Sequence, residues 1–123
     1  REELMSHADY SGTTEVVSIS STTTGADATL VYTCPASHDA EVVFLTATNG
    51  SASHTINILF YHAETSDWHY ITRAHTIAGG TTYDVLNSSS LYLHAGDKIA
   101  CYKSAGTLDV TLSAKQYFNP TRT

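Results

Sequence analysis

His62, His69 and His75 lie close together in the chain, with Glu64 and Asp67 between them. Imidazole and carboxylate groups are ordinary ligands of zinc, iron and manganese. Residues i and i+2 share a strand face, so a metal-binding strand usually carries His-x-His. This chain has no such pair. His62 and Glu64 share a face, but the spacing implies no third ligand. These residues therefore read as polar strand positions, and no metal or cofactor is expected. Serine, histidine and aspartate are abundant, yet Gly-x-Ser-x-Gly is absent and no triad is specified. Cys34 precedes Pro35 and has no base nearby in sequence to activate its thiol. Asp84 and Asp97 stand apart. Asp97, after Ala95-Gly96, reads as a turn former and not as half of a glycosidase pair. No catalytic residue is expected.

The remaining candidates concern binding. Tyr61, Trp68, Tyr70 and Tyr83 cluster around the middle of the chain, and aromatic rings serve as core residues, sugar platforms or interface anchors. Asn49-Gly50-Ser51 and Asn87-Ser88-Ser89 fit the glycosylation pattern, but both coincide with turns. Cys34 and Cys101 form no Cys-x-x-Cys motif. They read either as small buried apolar residues or as a disulfide pair.

These residues must be positioned by strands. Short runs rich in β-branched and aromatic residues recur with turn signals between them: Thr29–Cys34, Glu41–Thr48, Ser53–His62, Trp68–Ile77, Thr81–Leu86, Leu91–His94, Ile99–Lys103 and Thr107–Phe118. Asn49-Gly50 is the strongest hairpin signal and pairs Glu41–Thr48 with Ser53–His62. Val110, Leu112 and Ala114 alternate with polar neighbours, as on a half-buried strand. Around Ile56, Ile58 and Phe60 both faces are apolar, because Leu59 and Tyr61 fill the other side. That strand is expected to be covered twice, by the core and by an arm or a neighbour. The fold class is all-β: a two-sheet antiparallel sandwich, jelly-roll-like, over residues 29–118. Residues 1–28 read as an extended N-terminal arm, with a helical turn at Glu2–Met5, a strand-like Val16–Ser20 and the polar run Ser20–Asp27. Residues 119–123 form a tail. Within the arm and the central hairpins, Val16, Val17, Ile19, Leu59, Tyr61, Trp68 and Tyr70 are the candidate partner-binding residues.

The chain has 123 residues, 41% of them hydrophobic and only 15% charged, with a net charge of −6. That size suits one domain with a real core. An acidic chain without a Lys/Arg cluster is poorly suited to nucleic acid, whose binding rests on cationic contacts. No apolar run is long enough to span a membrane. Arg1–His7 lack the apolar segment of a secretory leader, and Arg1 is not an initiator methionine, as in a processed product.

Five phrases in order carry a resemblance: Val31–Ala36, Glu41–Asn49, Ile77–Tyr83, Leu91–Ile99 and Leu108–Ser113. Together they resemble small β-sandwich virion structural proteins of tailed bacteriophages, including cyanophages. Ser37-His38-Asp39 stands where a glycine-lysine turn is usual. The resemblance implies a non-enzymatic domain on the capsid surface or in the tail. Its partners would be the major capsid protein or other virion proteins, in a homo-oligomer. The first functional expectation is a capsid decoration (cement) protein bound through its arm and sandwich. Removal of residues 1–25 is then expected to leave a folded sandwich that no longer binds particles. The alternative is a tail-fibre or baseplate adhesin domain binding a host glycan. The third is a cupin-like metal-binding domain.

Overall fold

The computed structural model describes residues 10–23 and 25–120. The helical turn expected at Glu2–Met5 lies outside them, as do residues 121–123 of the tail. Nine strands are described: β1 (Tyr10–Ser18), β2 (Thr29–Thr33), β3 (His38–Thr48), β4 (His54–His62), β5 (Asp67–Ile77), β6 (Thr82–Asp84), β7 (Leu91–Leu93), β8 (Lys98–Lys103) and β9 (Asp109–Phe118). One short 3₁₀ turn, Gly25–Asp27, precedes β2. No helix among the described residues is long and apolar enough to cross a membrane.

The strands form two antiparallel sheets. The first runs β1-β9-β3-β6, with β7 also paired to β3, and the second runs β2-β8-β4-β5. Six of the eight steps along the chain cross between sheets, which is the jelly-roll connectivity. Ala40, Val42, Leu45 and Ala47 of β3, with Val110, Leu112 and Ala114 of β9 beside them in the same sheet, face Ile56 and Ile58 of β4 and Ile99 and Cys101 of β8. All are essentially removed from water. The alternation read in β9 holds in the structure.

Two expectations change. First, Tyr10–Ser18 is no arm. It pairs with β9 in unbroken register, from Tyr10 opposite Tyr117 to Ser18 opposite Asp109. Val17 packs against the core, and Ile19 is 2% exposed within it. Ser11, Thr13 and Glu15 share the core-facing side with Val17, opposite Gln116, Ala114 and Leu112, while Thr14, Val16 and Ser18 face outward, so neither side of the strand is uniformly apolar. A truncation to residue 25 would remove β1 and Ile19 with it.

Second, Asn49-Gly50 is no hairpin. β3 pairs with β9, β6 and β7, whereas β4 pairs with β5 and β8. Residues 49–53 form a corner that carries the chain from one sheet to the other. The Asn49 side chain is fully buried. Its Nδ2 donates to the carbonyls of Ala52 and Ile77, each at 3.0 Å, and its Oδ1 accepts from the Ser51 N–H at 2.9 Å. The amide bonded across the corner replaces the turn that Asn-Gly would make in a hairpin. Ser51 Oγ then accepts from the Thr107 N–H at 3.0 Å, tying in the β8–β9 loop. Gly79 is required beside it, since a Cβ there would collide with the Ser51 carbonyl. The one hairpin joining consecutive strands of the second sheet is β4–β5, through Ala63–Ser66.

Of the two readings open for the cysteines, the structure shows the buried apolar one: Cys34 and Cys101 are unbonded, buried thiols. Cys101 stands opposite Thr29, at the far end of β2 from Cys34. At strand rise that is roughly 13–16 Å, far beyond the ~7 Å that a disulfide spans.

At the opposite end of the sandwich from Asn49, Asp97 does the corresponding work. Its carboxylate accepts from the His94 N–H at 2.8 Å and from the Ala63 N–H at 2.9 Å, and its carbonyl accepts from the Cys34 N–H at 2.9 Å. The turn-forming role expected of Asp97 is present, extended to three loops.

Replacing Asn49 by alanine removes the side-chain hydrogen bonds to the Ala52 and Ile77 carbonyls and to the Ser51 N–H. We expect a loss of about 2–3 kcal/mol in urea unfolding, whereas a change below about 0.5 kcal/mol would mean the corner holds without its amide. Alkaline stability gives a second test. Burial pushes the thiol of Cys34 up to about 11, and that of Cys101 up to about 12. The unfolded chain therefore loses these protons first. Stability is fully present below pH 9 and declines from there toward pH 11–12. A Cys34→Ala/Cys101→Ala double variant should show a shallower decline across pH 9–11 in the same measurement.

Candidate binding surface

In β4 and β8, residues facing outward alternate with the core positions, and the pairing register sets them in rows. Leu59 lies opposite Tyr70 on one side and Ala100 on the other, with Leu30 opposite Ala100. Tyr61 lies opposite Trp68 and Lys98, and Asn57 lies opposite Tyr102. The outer face of the second sheet thus gathers Tyr61, Trp68, Tyr70 and Tyr102 over Leu59.

Leu59 itself is 1% exposed, so it is the floor of this surface and touches no partner. It packs with Ala28 and Ala100, and Trp68 and Tyr102 close over them. The double covering expected for β4 is therefore met from within the chain. Ala28, just after the 3₁₀ turn and at the end of the segment read as an arm, supplies that covering.

The rings are organised. Tyr61 and Trp68 lie 4.9 Å apart between centroids at a tilt of 50°. The hydroxyls of Tyr70 and Tyr102 share a hydrogen bond of 2.8 Å. Lys98 sits 5.0 Å over the Tyr61 ring and Arg73 5.0 Å over the Tyr70 ring. Each cation is attracted by the ring quadrupole. The consequence is chemical: two tyrosine faces already carry cations, so this is a cationic-aromatic surface more than a bare stacking platform. Arg73 reaches Tyr70 because β5 is irregular there. The register shifts around Ile58, Ala74 takes a φ of 52°, and its N–H donates to Asn57 Oδ1 at 2.7 Å.

The opposite face belongs to the first sheet. Val16 is 69% exposed there, at the edge, while Val17 points inward. A bulge between Val42 and Phe44 turns both Val43 and Phe44 outward. Tyr92 and Tyr117 join them, and the Tyr92 hydroxyl donates to Glu41 at 3.3 Å. The candidate residues therefore divide. Tyr61, Trp68 and Tyr70 come together on one face, Val16 lies on the other, Val17 and Ile19 serve the core, and Leu59 supports the rings. Tyr102, Lys98 and Arg73 belong to the surface and carried no separate signal. Alternation along β8 marks Lys98, Ala100 and Tyr102 as one face, but only the register places that face beside Tyr70.

Among the described residues no group of three or more His, Cys, Asp or Glu side chains is placed to hold a metal. His62 stands at the Asp97 end, its Nε2 3.7 Å from Glu64 and its Nδ1 3.8 Å from Asp97. His75 stacks on Tyr83 at 3.9 Å, well away from it along β5. Among the described residues, two of the open depressions flank the sandwich. One, of about 370 Å³, lies between β1 and β2 beside Tyr32 and Gln116. The other, of about 640 Å³, lies beside Ile19 and Leu108. In the second, the Ser18 hydroxyl donates to Asp109 Oδ1 at 2.7 Å, with no histidine in the lining.

No family model matches the chain, and no curated protein matches it in sequence. Solved structures do. A chain of the disulfide-linked pili that form Bacillus endospore appendages superposes with a TM-score of 0.52 at 14% identity, over 90% of this chain and 89% of that one. The likeness is one of fold. Eiger TNF from S. frugiperda gives 0.44 at 11% identity, over 94% and 99% of the two chains. A cyanophage Pam1 capsid asymmetric unit gives 0.42 at 18% identity, over 89% and 84%.

The floor and the rings separate experimentally. Leu59→Ala should cost about 2–4 kcal/mol of stability through the cavity it leaves. Tyr70→Ala, at a 41% exposed position, should cost less than about 1 kcal/mol. Equal losses in chemical unfolding would show that the surface rings are part of the core.

Proposed function

We propose that this chain is a non-enzymatic structural protein of a virion, a capsid decoration protein that binds the major capsid protein. One observation carries the reading. Among the described residues, most exposed large apolar side chains lie on broad sheet faces and edges, at Val16, Val43, Phe44, Tyr92 and Tyr117 on one side and Leu30 and Tyr70 on the other, with Phe118 at the end of β9. Flat faces of this kind serve contact with other proteins, whereas small-molecule chemistry needs concave sites with converging polar groups. A low charge fraction agrees, because charges are depleted at interface cores. The five sequence phrases add the phage resemblance. Residues 1–9, which precede β1, are the portion of the N-terminal segment proposed to reach the capsid.

The adhesin reading is kept as a second because four aromatic side chains share one face. The cations over Tyr61 and Tyr70 weigh against it, since a sugar ring would have to displace them.

Capsid binding is tested with purified capsids by co-sedimentation and particle imaging. The full chain should occupy hundreds of sites per particle, and a chain lacking residues 1–9 should remain folded but lose at least about 10-fold in occupancy. A handful of copies confined to the tail would favour the adhesin. Unchanged occupancy after the truncation would remove the N-terminal segment from the mechanism.

A further inference from the structure

The two outer faces differ in charge. On the first sheet, Asp39, Glu41, Asp84 and Asp109 point outward: each pairs with an outward residue of the same sheet, Asp39 with Tyr117, Glu41 with Lys115, Asp84 with Thr46 and Asp109 with Thr48. Lys115 is the lysine or arginine this face carries among the described residues. Its formal charge is therefore −4 + 1 = −3. On the second sheet the outward charges over the rings are Lys98 and Arg73, both positive. Each face also offers exposed apolar area: Val16, Phe44, Tyr92 and Tyr117 on the acidic side, Leu30 and Tyr70 on the basic side.

We infer that the acidic face of one copy docks on the cationic-aromatic face of a second copy, in a head-to-tail contact that repeats. The occupant follows from charge. Two acidic faces repel each other, and so do two basic ones. Only unlike faces join opposite charges while covering apolar surface on both sides. Exposed ion pairs contribute little binding energy. The aromatic and aliphatic anchors supply affinity, and the charges select the orientation. The faces lie on opposite sides of one sandwich, so each docked copy presents the same free face again. Such a heterologous contact propagates as an open stack unless its rotation closes a ring. This goes beyond the capsid reading, because the association needs no particle.

The test uses the purified full chain in sedimentation velocity runs, up to about 300 µM, at about 50 mM and about 500 mM salt. Wild type should form species larger than a dimer, more of them at low salt. Phe44→Glu disables the acidic face and Tyr70→Glu the basic face, and each alone should weaken association at least about 10-fold. Mixed together they should form a one-to-one dimer and nothing larger, because each retains the face the other lacks. Glu41→Lys and Lys98→Glu form a second complementary pair at exposed or half-exposed positions, should either glutamate variant fail to fold. Wild type that stays monomeric, wild type that stops at a dimer, or a mixture that stays monomeric overturns the inference. Co-sedimentation of the same variants with capsids is read separately. Retained capsid binding without self-association removes this inference alone.

Discussion

In a jelly roll most consecutive strands belong to different sheets, so local ladders cannot hold the corners. This chain meets that constraint with two buried polar side chains. Asn49 closes one end by bonding the corner to the last carbonyl of β5, and Asp97 closes the other by holding three loops through its carboxylate and its carbonyl. In a low-dielectric interior such groups are costly unless every lone pair and proton is met, and stabilising in geometry when they are. The packing of β3 and β9 against β4 and β8, and hence both outer faces, depends on these two closures.

What the faces present follows from smaller departures within the strands. The bulge at Val43 breaks the alternation of β3, so that Phe44 leaves the core and enters the acidic face. The irregularity near Ala74 lets Arg73 lie over Tyr70. Neither departure changes the fold. Both decide which chemistry faces outward, and together they make one side acidic and apolar, the other cationic and aromatic.

Much of this was legible before the structure. The strand runs and the alternation in Val110–Ala114 are local properties and came through nearly intact. The apolar residues on both sides of β4 correctly announced a twice-covered strand. What failed was non-local. Asn49-Gly50 has the form of a hairpin turn, and only the distant Ile77 carbonyl and Thr107 N–H show why it is a corner. Val16–Ser20 reads as strand-like, but the polar Tyr10–Glu15 carries no such signal, and its pairing with β9 at the far end of the chain is non-local. The aromatic surface was half legible. Tyr61, Trp68 and Tyr70 sit near one another in sequence, whereas Tyr102 joins them through pairing alone.

The pairing of β1 with β9 also has a consequence in time. Of the nine described strands, the first to leave a ribosome has its ladder partner in the last. At roughly 5–20 residues per second, β1 waits on the order of 5–20 seconds before its hydrogen-bonding groups can be met. During that interval its backbone is open to any other nascent or misfolded chain. The threonines and serines of β1 lower its tendency to pair with such chains while it waits.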